Sequence, residues 1–145
     1  MKHVLSLADI RPQDRRFVGG KAFSLAVMAQ HGIQVPAGLV VTTRAYEYFV
    51  SATGLRGRIL LELNRKSFKD LRWEEMWDSS LRLRHLFLTT PMPEALAASL
   101  TKALGPRLPE RCVIRSSAPG EDSRKASFAG LHASFVNVAG IEAVL

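Results

Sequence analysis

Two cations stand beside glycines in this chain, and both are suited to phosphate. Lys21 follows Gly19-Gly20 directly. Arg115 ends the apolar run Cys112-Val-Ile and opens a loop of Ser, Gly and Pro. A lysine binds an oxyanion as a point charge, and an arginine grips it as a two-pronged fork. Hydroxyl donors lie close by in sequence at Ser116, Ser117, Ser127 and Ser134, and Gly130 permits close approach of a backbone. The neighbouring acids Glu121 and Asp122 could hold Mg²⁺, or they could cap a turn and pair with Arg124 and Lys125. No Gly-x-Ser-x-Gly is present, which argues against a serine hydrolase. The spacing around Lys21 is not that of a Walker loop either, since Arg15 stands where its first glycine would be and Ala22 replaces its Ser or Thr.

These residues need elements to position them. Ala22, Leu25, Ala26 and Ala29 recur at helical spacing, and Gly32 marks the end of that helix. Lys21 thus falls in the first turn, where free N–H groups and the positive end of the helix dipole welcome an anion. A lysine there costs helix stability, a local conflict of the sort found at functional positions. Cys112 to Ile114 reads as a packed strand, with Cys112 as core, and alternation resumes from Leu131 to Val138. The geometry expected is two strands joined by a long flap-like loop. Alternation puts Val113 and Arg115 on one face, and Ser134 shares a face with Val136.

The rest of the chain supplies packing. Val4 to Leu7 and Leu39 to Val41 read as short strands, Ile33 to Val35 as part of the second, and Asp9 to Arg16 as a loop. Thr42 or Thr43 caps a helix whose face is Ala45, Tyr48, Phe49 and Ala52, and Gly54 stops it. Trp73, Met76, Trp77 and Leu81 lie at helical spacing and are expected in the core. After Pro91 and Pro93, Leu96, Ala97, Leu100 and Leu104 face inward on a last long helix. The fold class is α+β: mixed helices packed on a small antiparallel sheet.

Composition sets outer limits. The 145 residues match one domain, with 47% apolar residues for a core. One cysteine leaves no disulfide framework, and four histidines and that cysteine argue against a zinc site. No apolar run approaches the ~20 residues of a membrane span, and the N-terminus lacks the apolar stretch of a signal peptide, so the expectation is a cytoplasmic protein without membrane contact. The net charge of +7 favours anionic partners. A basic nucleic-acid-binding module is the rival this charge suggests, but positive and negative residues are mixed between Gly54 and Thr90, and no RNP, KH or zinc-finger pattern occurs.

Three separated motifs carry a resemblance. Arg115-Ser-Ser-Ala, Glu121-Asp122-Ser and Ser127-Phe-Ala-Gly130 form the first. Val18-Gly-Gly-Lys21 with Ser24-Leu25 forms the second, and Val35-Pro-x-Gly38 followed by Thr42-Thr43-x-Ala45-Tyr46 the third. Together they resemble the nucleotide-binding region of the phosphoenolpyruvate synthase and pyruvate phosphate dikinase family, which rifampicin phosphotransferases share. The resemblance implies the first half of an ATP-grasp-like domain, with ATP as cofactor. It places Lys21 and Arg115 on the nucleotide phosphates, Gly130 in a flap over them, and Ser134 nearby. It also implies that the Mg²⁺ ligands, the second half of the domain and a phosphohistidine domain lie outside the chain. None of His3, His31, His85 and His132 has the surroundings of the phosphoacceptor, so no catalytic residue is expected here. Leu131 stands where the family usually has Gln, which removes one phosphate contact. The chain also stops within an apolar helical turn, Ile141 to Leu145, and so reads as the N-terminal part of a larger ATP-binding domain cut near residue 145.

Overall fold

The computed structural model describes residues 2–117 and 133–145, and the backbone alone of 122–123 and 126–127. The chain divides into two compact units. One is Met1–Tyr46 with Ala97–Leu145, and the other is Glu47–Leu96.

In the first unit, strands β1 (Val4–Ser6) and β2 (Leu39–Val41) pair antiparallel, with Leu5 opposite Val40. Residues Ile33 to Gly38, expected to begin the second strand, carry no regular structure, and only Leu39–Val41 joins the ladder. The segment expected as a polar loop is instead two 3₁₀ turns, Leu7–Asp9 and Pro12–Asp14, leading into helix α1 (Arg15–Gln30). Asp14 causes the difference. Its carboxylate accepts the Arg11 N–H at 2.9 Å, which closes the turn around Pro12. Helix α1 ends as expected: Gly32 adopts φ +77°, Ile33 N–H reaches Met28 O, and Gly32 N–H reaches Ala29 O. This pair of bonds satisfies carbonyls that the helix end would otherwise leave open.

Leu7, Ile10, Val18, Ala22, Ala26 and Val40 form the core of this unit, with Leu5, Phe17 and Phe23 packed against it. Each fully buried Val, Leu or Ile contributes roughly 1.5–3 kcal/mol. Two polar ties close the unit. Thr42, 2% exposed, donates its hydroxyl to Lys2 O at 3.1 Å instead of capping the helix that follows, and His3 Nδ1 lies 3.1 Å from Ser99 Oγ.

The strands predicted around the long loop are present. Strand β3 (Cys112–Arg115) pairs antiparallel with strand β6 (Ser134–Val138), and β4 (Asp122–Ser123) pairs with β5 (Ala126–Ser127) in the connection between them. The register of β3 and β6 shifts by one residue, from Ile114 opposite Phe135 to Cys112 opposite Val138. Asn137, at φ 62°, takes up the extra residue, and its side-chain oxygen accepts the Arg111 guanidinium at 2.7 Å. This bulge was not foreseen. It puts Val138 on the Phe135 face, where strict alternation would have separated them. Cys112 is half-buried, less enclosed than the core position expected for it.

The second unit is helical. Helix α2 (Thr43–Ala52) runs into it, α3 (Leu55–Leu63) and α4 (Trp73–Thr89) pack on each other, and α5 (Glu94–Leu104) begins in it. Leu96, Leu100 and Leu104 are buried on α5, as their spacing predicts. On α2, Ala45 and Val50 are buried, whereas Tyr48, expected inside, is 40% exposed. Helix α4 corrects the expectation more sharply. Trp73 and Trp77 are 67% and 61% exposed, and no residue of the helix is fully buried. The helix turns Glu75, Ser79, Leu83 and Leu86 inward instead: Leu83 and Leu86 give that side its half-buried apolar contacts, and Glu75 and the α3 carboxylate Glu62 are ion-paired along it. Glu62, only 7% exposed, accepts Arg82 Nε at 2.6 Å and pairs with Arg65 Nε at 2.9 Å. The Arg82 bond, ahead of the two neighbouring charges, holds its carboxyl below the ordinary value. Glu75 is also lowered, first by the Arg72 N–H and then by Lys66.

Candidate functional site

The glycine–lysine turn is built on a break in α1. Gly19 leaves helical geometry at φ 73°, ψ 167°, a region open almost only to glycine, and helix resumes behind it. Lys21 thus stands in the first turn of the resumed segment, as the sequence predicts, with its side chain exposed.

Ser117 explains the break. Its hydroxyl donates to Val18 O at 2.8 Å and accepts the Ala22 N–H at 3.3 Å. One side chain thereby satisfies a carbonyl before the break and an amide after it, both of which the interrupted helix leaves without partners. The fit at Gly19 is tight: a Cβ there would lie 2.4 Å from Ser117 O and 2.7 Å from Ser117 Oγ. Only a residue without a side chain admits the backbone of 117 at this distance. The Val18-Gly-Gly-Lys21 turn is therefore fastened to the chain two residues beyond Arg115.

The second tie runs through the sheet. Ser134 on β6 pairs directly with Arg115 on β3, so their side chains leave the same face of the ladder. Val113 belongs to that face too, and Cys112, Ile114, Phe135 and Val138 to the other. Arg115 and Ser134 are both exposed. Ser117 was read from sequence as one hydroxyl among several for phosphate, whereas its oxygen is engaged in holding the turn; the double glycine opposite it was the only sign of that contact. Gly130, Glu121 and His132 lie outside the described residues.

Two further features went unread. Arg44 and Arg16 place their guanidinium carbons 4.0 Å and 4.6 Å from the centre of the Phe17 ring, just ahead of the glycine turn, and Phe17 and Arg44 line a small cleft with Lys2, Leu5, Asp14 and Thr42. A larger cleft belongs to the helical unit, between α3 and α4, and none of the predicted site residues lines it. Among the described residues, no three His, Cys, Asp or Glu gather as a metal site would require, and no helix is long and apolar enough to cross a membrane.

Known proteins place this architecture. A family model described as pyruvate phosphate dikinase, AMP/ATP-binding domain, matches residues 15–145. A phosphoenolpyruvate synthase of Aeropyrum pernix is 38% identical over 98% of the chain, and a probable phosphoenolpyruvate synthase of Staphylothermus marinus is 34% identical over 99%. A rifampicin phosphotransferase of a Streptomyces species is 36% identical over 98%. The chain covers 18%, 18% and 16% of these relatives, respectively. The family model and these relatives cover nearly the whole length of the chain: it belongs to the pyruvate phosphate dikinase AMP/ATP-binding domain family.

Proposed function

We propose that this chain forms one wall of an ATP site, with Lys21 and Arg115 on the β- and γ-phosphates, Ser134 beside Arg115, and Gly130 in a flap over them. The observation that carries this reading is the Ser117 bridge, which fastens the turn holding Lys21 to the strand end holding Arg115. Phosphoryl transfer asks little covalent chemistry of a protein; it asks for positioning and charge neutralisation. Two cations anchored through one rigid contact supply part of both. Mg²⁺ would supply further charge neutralisation at the phosphates, and the carboxylates that would hold it are assigned to the opposite wall, outside this chain.

The complete protein is proposed to be a cytoplasmic phosphotransferase that passes phosphate from ATP to a histidine of a separate domain, then to pyruvate or another acceptor. The acceptor is chosen by those other domains. The rifampicin phosphotransferase relative is similar over nearly the whole chain, so such an enzyme is the alternative within the same chemistry.

Calorimetric titration of the chain with Mg-ATP tests the site. A half-site binds in the millimolar to high-micromolar range, about −4 to −6 kcal/mol, and added salt weakens it because exposed charges are screened. Lys21→Ala and Arg115→Ala each lower the affinity about tenfold or more, the scale of one charge-assisted hydrogen bond. Sub-micromolar binding, or steady ATP hydrolysis by the chain, would show a complete site and overturn the one-wall reading.

A further inference from the structure

Helix α4 carries an apolar stripe that its own unit does not cover. At 100° per residue, Trp73, Trp77, Leu81, Arg84 and Leu88 project from the side opposite the inward residues Ser79 and Leu86. The four apolar residues of the stripe are 67%, 61%, 49% and 74% exposed. Tryptophans are costly to leave in water, and a continuous stripe of this kind marks a contact surface.

The charges along the helix say what fits. Its first half bears Glu74 and Asp78, and its second half bears Arg84 and His85. Two other charges, Glu75 and Arg82, are occupied inside the unit by Lys66 and Glu62. Among the described residues, Asp78 and Arg84 have no ion-pair partner. A helix that is acidic at one end and basic at the other is complementary to itself when reversed.

We infer that α4 is a self-association surface that pairs antiparallel with α4 of a second copy of this chain. With the twofold axis between Ser80 and Leu81, Trp77 lies over Arg84 of the second copy, and Trp73 meets Leu88. Asp78 falls beside Arg84 and His85, since antiparallel helices present the same flank to each other. Symmetry repeats each contact. A parallel pair would oppose acid to acid and base to base, and an anionic membrane would repel the acidic half. Four tryptophans bury on the order of 500 Å² at this exposure. With the leucines the pair reaches roughly 1,000 Å², the lower end of specific interfaces.

Sedimentation equilibrium of the 145-residue chain, from micromolar to submillimolar concentration, is the test. The native chain shows a monomer–dimer equilibrium, and Trp77→Ala weakens it. Asp78→Arg and Arg84→Asp each set like charges against each other at both symmetric contacts and weaken the dimer at least about tenfold. Mixing these two variants restores both opposite-charge contacts, so the equimolar mixture dimerises although neither variant does alone. All three residues are on the surface, and each variant keeps the circular dichroism of the native chain. A native chain that stays monomeric throughout, or a mixture no more associated than its components, overturns the proposal.

Discussion

The two units of this chain divide the work of the sequence in opposite ways. The unit of Met1–Tyr46 and Ala97–Leu145 contains twelve basic and six acidic residues, a net +6, while Glu47–Leu96 contains eight and seven, a net +1. The first unit spends its precise contacts on backbone: Ser117 on Val18 and Ala22, Thr42 on Lys2. The second unit uses its charges on each other, in the Glu62–Arg82–Arg65 and Glu75–Lys66 clusters, and leaves Trp73, Trp77, Leu81 and Leu88 on the surface. Charge surplus thus collects in the unit that carries Lys21 and Arg115, the cations proposed for phosphate, and a positive surplus favours an anion there. The near-neutral unit buries Val50, Leu55 and Leu96, pairs its charges along α3 and α4, and faces outward with tryptophan.

This contrast can be broken most forcefully at Gly19. Gly19→Val puts a branched side chain into a glycine-only conformation and against the Ser117 backbone, so a loss of about 4 kcal/mol or more is expected in urea denaturation, with loss of ATP binding. A substitution tolerated within 1 kcal/mol would mean that the turn and the strand end are not packed together. Ile10→Ala, at a fully buried core position beside that turn, costs about 2–5 kcal/mol in the same assay. Ser117→Ala comes next. It leaves Val18 O and Ala22 N–H without partners, for roughly 1–3 kcal/mol, and it lowers ATP affinity by loosening Lys21 relative to Arg115. Affinity unchanged in a destabilised Ser117→Ala chain would separate the fold of the turn from the site.

The helical unit answers to pH. The pKa values of Glu62 and Glu75 are depressed in the folded chain, so their contribution is present above the unfolded carboxylate value and is lost as pH falls through the lower folded value. Hydrogen exchange at amides of α3 and α4 should therefore quicken on acidification below that range, and Arg82→Ala should flatten the dependence. An acid response identical in that variant would count against the Glu62 pair. The smallest effect is expected at Trp77. In the monomer, Trp77→Ala changes stability by no more than about 0.5 kcal/mol, where a core tryptophan would cost about 3–5 kcal/mol. A large loss in the monomer would restore the buried position that helical spacing suggested.

Much of this fold was legible without coordinates. The α1 face of Ala22 and Ala26, the stop at Gly32, the inward leucines of α5 and the paired strands around the long loop all follow from local pattern and turn chemistry. Lys21 after its glycines and Arg115 at its strand end were likewise readable, because each depends on residues within a few positions of it. The sequence by itself therefore determined the α+β class, the periodic elements and the candidate cations. Only tertiary structure decided which of these meet. The approach of Ser117 to Gly19 spans nearly a hundred residues and has no periodic signature. The Asn137 bulge depends on how two strands come into register, and which side of α4 turns inward depends on the surface that α3 offers it. A helical stripe states that a face exists; which side turns inward is set by the partners that the rest of the chain brings to it.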